Sequence, residues 1–277
     1  MWIVVGSMGS LSQSECEQSS CLSTYRRETM NGAQIQIETA DGVIPCRSYH
    51  PPIGSERAWP AVVHLMDGMG IRPTLLASAE KLAGLGFYVL VPDLYYRGGN
   101  YPPFDHATLQ DDPAEQKRIM ELVRLVTNEA VMRDLRACFE FFDRQPEVRG
   151  KRVGCVGYCM GGPLALYAAG TFPERVTAAA SIHGANLATD RPDSPHLLAK
   201  KMSGELYLGV AEHAPYIIPG ETERIDAALA AAAANYRLEM YPGCHHGFAL
   251  VGAHGFDAKA DAQHRERVVE LFRRNLG

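Results

Sequence analysis

No Gly-x-Ser-x-Gly segment occurs in the 277 residues, no two cysteines stand as a Cys-x-x-Cys pair, and no Walker-type lysine pattern is present. The first absence removes the serine elbow of most hydrolases, the second the usual dithiol spacing, and the third the phosphate-cradling loop of P-loop nucleotide enzymes. Gly68-Met69-Gly70 lacks the third glycine of a dinucleotide fingerprint, so no cofactor is implied. The seven cysteines, at 16, 21, 46, 138, 155, 159 and 244, are an odd number. They argue against a fully paired disulfide framework and for a reducing compartment. Trp2 to Val5 is the only apolar run near the N-terminus, too short for a signal-peptide core, and no later run is long enough to span a bilayer. Positive charge is also scarce: a net charge of −5 and a pI near 6.1 leave no electrostatic footprint for nucleic acid or an anionic membrane. A cytoplasmic protein acting on small molecules is the class that remains.

What is present is enough for a sizeable core. At 46% hydrophobic and 21% charged, the chain reads as a single domain over 30–277. Residues 1–29 are rich in Ser, Gln, Glu and Gly without apolar periodicity and read as a flexible extension, and Met30 is an alternative start. Ala33 to Thr39 alternates as a strand, and Val43 to Tyr49 returns antiparallel across the Asp41-Gly42 turn. Pro60 to Leu65 and Gly86 to Val91 are continuous apolar runs, as buried parallel strands require. Further strands are expected at 152–156, 176–182, 205–211 and 236–241. Helical spacing covers 74–85, 128–144, 221–235 and 257–275. The alternation predicts an α/β fold, a mostly parallel central sheet with helices on both faces and its active site at the carboxyl ends of the strands. Gly98 to Pro113 reads as a long loop over that edge.

Chemistry concentrates at Gly157-Tyr158-Cys159-Met160-Gly161-Gly162, between an apolar strand and a helix-forming run. A glycine two residues either side of a cysteine at a strand-to-helix turn is the backbone of a nucleophile elbow, and the helix N-terminus there favours a thiolate. Taken alone, the segment could equally be a buried cysteine on an ordinary turn. A second segment, Gly243-Cys244-His245-His246-Gly247-Phe248, follows a strand later in the chain, so nucleophile and histidine occur in the order of an α/β-hydrolase. With Met66 to Pro73, Val91 to Arg97 and Ser181 to Gly184, these segments make the chain resemble the dienelactone hydrolase family of the α/β-hydrolase fold over about Gly32 to Leu276.

The resemblance implies a hydrolase of small lactones or activated esters, similar to a carboxymethylenebutenolidase, with Cys159 as nucleophile and His246 as base. His246 rather than His245 takes that role because it directly precedes Gly-Phe. A metal site on the two histidines is not expected without further ligands. Backbone N–H groups of Met160 and Gly68 are the candidate oxyanion hole. Asp67 stands where the family suggests an acid beside the resting thiol, or it is a loop aspartate bonding its own backbone. Arg97 stands at the family's substrate-carboxylate position, or it is a surface ion-pair residue. The family's second arginine has no counterpart in Ala249-Leu250-Val251. Its triad aspartate falls on Ala214, leaving Glu212 as a substitute acid, a Cys-His dyad, or a catalytically weak, ligand-binding relative as alternatives. A thiol-redox role for Cys155 and Cys159 is a further alternative.

Overall fold

A computed structural model describes residues 31–54, 57–109 and 111–277. The expected extension over 1–29 lies outside them. Two nine-residue strands, β1 (Asn31–Thr39) and β2 (Gly42–His50), form the expected antiparallel hairpin, with Thr39 opposite Gly42. Every residue of β3 (Trp59–Leu65) and β4 (Tyr88–Pro92) is buried. Since successive side chains of a strand point to opposite faces, both faces of the sheet centre are covered. Helix α1 (Pro73–Ala83) connects those two strands, and α2 (His106–Leu109), α3 (Pro113–Val123) and α4 (Asn128–Phe142) lead to β5 (Val148–Tyr158). Helix α5 (Gly161–Thr171) precedes β6 (Val176–Ile182), which is followed by β7 (Glu205–His213), α6 (Glu221–Ala231), β8 (Asn235–His245) and the closing α7 (Ala258–Leu276). The sheet order is β1-β2-β4-β3-β5-β6-β7-β8. Pairing is antiparallel for β1/β2 and β2/β4 and parallel from β4 onward. This is the mostly parallel sheet with helices that the alternation predicts.

Three local departures have physical reasons. Helix α6 stops at Ala231 rather than Asn235, because Ala233 takes a left-handed φ of 52° and the chain must turn into β8. The loop expected over Gly98 to Pro113 contains the single turn of α2 and ends at Asp112, whose carboxylate accepts from the N–H groups of Ala114 and Glu115 and caps α3, with Pro113 in its first turn. A 3-10 segment at Pro195–Lys201, which carries no strong periodicity, packs against α5. The parallel strands β3, β5, β6, β7 and β8 end at one edge, bringing together the residues that follow them: Met66 to Gly68, Cys159, His183, Ala214 and His246.

Candidate active site

Cys159 follows the last residue of β5 with φ of 50°, the left-handed region that a non-glycine residue occupies at a cost. The turn is held by its N–H donating to the Ile182 carbonyl at 3.0 Å and by Gly162 N–H donating to the Cys159 carbonyl at 3.0 Å. The flanking glycines are steric necessities. A Cβ at Gly157 would lie 1.9 Å from the Gly161 carbonyl oxygen, and one at Gly161 would lie 2.8 Å from that of Met66. The strained cysteine is thus wedged onto the sheet edge with its side chain toward a cavity of about 610 Å³ that also exposes Asp67, Gly68, His183 and His246.

Backbone N–H groups of Gly68 and Met160, the two amides expected from the sequence as an oxyanion hole, lie close enough to the Cys159 sulfur to favour its charged form. Gly68 is pinned in turn, since the Tyr95 hydroxyl donates to its carbonyl at 2.7 Å. The thiol is pushed up to about 12, first by burial and then by the Asp67 charge, while the two amides oppose the shift. The helix N-terminus does not produce a resting thiolate, because desolvation and a nearby carboxylate outweigh it. Asp67 is itself buried and held by Arg72 through two bonds, Nη1 to Oδ1 at 2.6 Å and Nη2 to Oδ2 at 2.7 Å, and it also accepts from Met69 N–H at 3.1 Å. Arg72 was not singled out in the sequence; a basic residue five positions after Asp67 is the only local sign of the pair.

His246 is anchored through its backbone, whose N–H donates to the His213 carbonyl at 2.9 Å, so the loop carrying Ala214 does lie beside it. Its ring nitrogens are both buried without a hydrogen-bond partner, and burial pushes the imidazole down to about 4. Glu212 does not reach that ring: its exposed carboxylate accepts from Gly243 N–H at 2.5 Å, and it does not line the cavity. The structure therefore does not bring Glu212 into the role of an acid, and Ala214 offers only a methyl group. The face of His246 meets other rings instead, Tyr216 at 4.8 Å and His183 at 5.0 Å between centroids, both edge-on. His183 ends β6 with a left-handed φ of 40°, is fully buried, and leaves both ring nitrogens without partners while it lines the cavity. A lone histidine after an apolar strand is a weak sequence signal, and it was read only as part of a supporting stretch. His245 and His213 line the cavity with their rings tilted at 37° and centroids 4.7 Å apart.

Arg97 is placed elsewhere. Its guanidinium donates to Asp134 on α4, from Nη2 at 2.7 Å and Nη1 at 2.9 Å, and from Nη2 to Asp41 at 2.7 Å and the Ala130 carbonyl at 3.2 Å. It is absent from the cavity lining, so the expected substrate-carboxylate contact gives way to an ion-pair network joining α4 to the β1–β2 turn. Cys155 is fully buried on β5 and pushed up to about 12 by burial, which removes the thiolate that dithiol exchange with Cys159 needs. Among the described residues, no three His, Cys, Asp or Glu side chains are grouped to hold a metal ion, and no helix is long and apolar enough to cross a membrane.

Residues 49–276 match the model of the dienelactone hydrolase family. The chain belongs to that family. Carboxymethylenebutenolidase 1 of Cupriavidus pinatubonensis is 30% identical over 215 residues, covering 77% of this chain and 85% of the relative. Carboxymethylenebutenolidase of Pseudomonas putida is 26% identical over 241 residues, covering 86% and 94%. The crystal structure of a Klebsiella pneumoniae protein assigned as a dienelactone hydrolase superposes with a TM-score of 0.76 at 20% identity, over 88% of this chain and 98% of that one. At that identity the superposition establishes the α/β-hydrolase fold. Against the dienelactone hydrolase pattern described above, this chain keeps the cysteine elbow, the His-Gly-Phe segment and Arg97, and departs at Ala214 and at Ala249-Leu250-Val251.

Proposed function

We propose that the chain hydrolyses small esters or lactones through Cys159 and His246 without a carboxylate orienting the histidine. The observation that carries the reading is the convergence on one cavity of a strained cysteine, two backbone N–H groups at its sulfur and a neutral buried imidazole. Burial pushes the thiol up to about 12 and the imidazole down to about 4, so a thiolate–imidazolium pair is disfavoured at rest. The resting pair is therefore neutral, and proton transfer accompanies attack on the carbonyl.

The sulfur attacks the carbonyl carbon while His246 takes the thiol proton, and the carbonyl oxygen becomes an oxyanion facing the amides of Gly68 and Met160. Collapse breaks the C–O bond, the imidazolium returns its proton to the departing alkoxide, and an acyl thioester remains. Water adds to the thioester with His246 as base, the C–S bond breaks, and the released thiolate recovers the proton. The sum is ester plus water to acid plus alcohol. A cysteine tolerates the missing acid better than a serine, because its sulfur is intrinsically nucleophilic. Cys46, Cys138, Cys155, Cys159 and Cys244 are all free thiols, in keeping with a reducing, cytoplasmic setting. Cys159→Ala is expected to abolish hydrolysis of a 4-nitrophenyl ester, with an unchanged circular dichroism spectrum; wild-type turnover in that variant overturns the proposal.

A further inference from the structure

The wall of the Cys159 cavity is apolar and its charge inventory is unusual for the family's acidic substrates. Ile119, Met120 and Val123 of α3, Leu109 of α2, and Pro215 and Tyr216 after β7 all line it. Met120 is 50% exposed and Tyr216 64% exposed, so two large apolar side chains stand in solvent at the mouth. Among the described residues, no lysine or arginine lines the cavity. Among the described lining residues the one carboxylate, Asp67, has both oxygens bonded by Arg72, which also donates from Nη1 to the Gly70 carbonyl at 3.1 Å and is only 7% exposed. The arginine at the family's carboxylate-binding position, Arg97, is spent on Asp41 and Asp134 outside the cavity. Of the cavity histidines, His183 and His246 are kept neutral by burial.

We infer that this site selects neutral esters or lactones bearing an apolar chain or ring, and discriminates against substrates that carry a carboxylate. The inference rests on the hydrolase reading above and narrows it. An alkyl or aryl group replaces water against α2, α3 and Tyr216, whereas a carboxylate in the same place loses its hydration and finds no cation in return.

A matched pair of substrates tests it: 4-nitrophenyl pentanoate and the 4-nitrophenyl monoester of glutaric acid, equal in acyl length and differing by a terminal carboxylate. Both esters are measured at pH 8. The neutral ester is expected to have a kcat/KM about a hundredfold higher, the scale set by one unpaired charge on binding. Met120→Lys, at an exposed rim position, is expected to narrow that ratio about tenfold by raising kcat/KM for the glutarate ester. Equal values for the two esters, or preference for the glutarate, overturn the substrate class alone and mean that Arg72 opens toward the ligand. If neither ester gives nitrophenolate, even as a stoichiometric burst, the hydrolase reading falls and this inference falls with it.

Discussion

At Ala214 a methyl group stands where the family pattern calls for a carboxylate, and the consequence is visible at the neighbouring ring, whose two nitrogens have no partner. An orienter fixes the tautomer of a catalytic imidazole and stabilises its charged form. Ala214→Asp is therefore expected to raise kcat on a neutral ester about tenfold, the effect of about 1.4 kcal/mol at the transition state. Glu212→Gln is expected to leave kcat within about twofold, because that exposed carboxylate serves the Gly243 amide, a contact of small energetic weight. Steady-state kinetics of the two variants decide between a dyad and a displaced acid; a severe loss in Glu212→Gln shows that Glu212 reaches His246 during turnover. That Cys159, His246, Gly68 and Met160 gather at one sheet edge was legible in the sequence, because elbow and histidine turn are contiguous motifs with strict backbone demands. His183 and Arg72 were not, since a lone histidine and a lone arginine acquire meaning only from what folds against them.

Arg97 works at the scale of elements. It ties the 3-10 turn after β4 to α4 through Asp134, whose carboxylate is fully buried, and to the β1–β2 turn through Asp41, which Arg133 also grips at 2.8 Å. Tyr96 adds a hydroxyl bond to Asp134 at 2.9 Å. Removing the cation strands a buried carboxylate, a change that typically costs about 3–5 kcal/mol. Arg97→Met is thus expected to lower Tm by roughly 10 °C in a domain of this size, with KM for small esters unchanged. Calorimetry and kinetics on one preparation check both halves; a selective rise in KM for an anionic ester restores the substrate-binding role. The strands and most helices followed from apolar runs and spacing, while helix α3, the end of α6 and the turn of α2 did not, because local sequence does not contain the neighbours that start and terminate an element.

At the scale of the molecule, three buried histidines and the half-buried His246 are held neutral. Burial pushes His64 and His246 down to about 4, His264 to about 3 and His183 well below its usual range. Their neighbours offer little to a charged ring: His64 meets the Ser78 hydroxyl at 3.4 Å, and His264 meets the Tyr158 hydroxyl at 3.4 Å with Asp261 at 3.6 Å. With folded pKa values below the unfolded value of about 6.5, the unfolded chain binds more protons, so stability falls as pH drops from about 6.5 toward 4. At pH 5 each such ring removes up to roughly 2 kcal/mol. Tm is expected to decline steeply between pH 6.5 and 4.5; a flat profile over that interval shows that the rings are solvated.

The order of strands and helices, the β1–β2 hairpin, the elbow at Cys159 and the turn at His246 are all determined by residues close in sequence, because backbone sterics, side-chain period and glycine spacing act over a few positions. Whether the thiol is protonated, whether His246 has an acid, which carboxylate takes Arg97 and whether the cavity holds a cation were decided only by tertiary structure. Those properties depend on burial and on charges brought together from distant positions, as when Arg97 meets Asp41 and Asp134. Low-dielectric surroundings then set the protonation states and partners that the same side chains would not have in water.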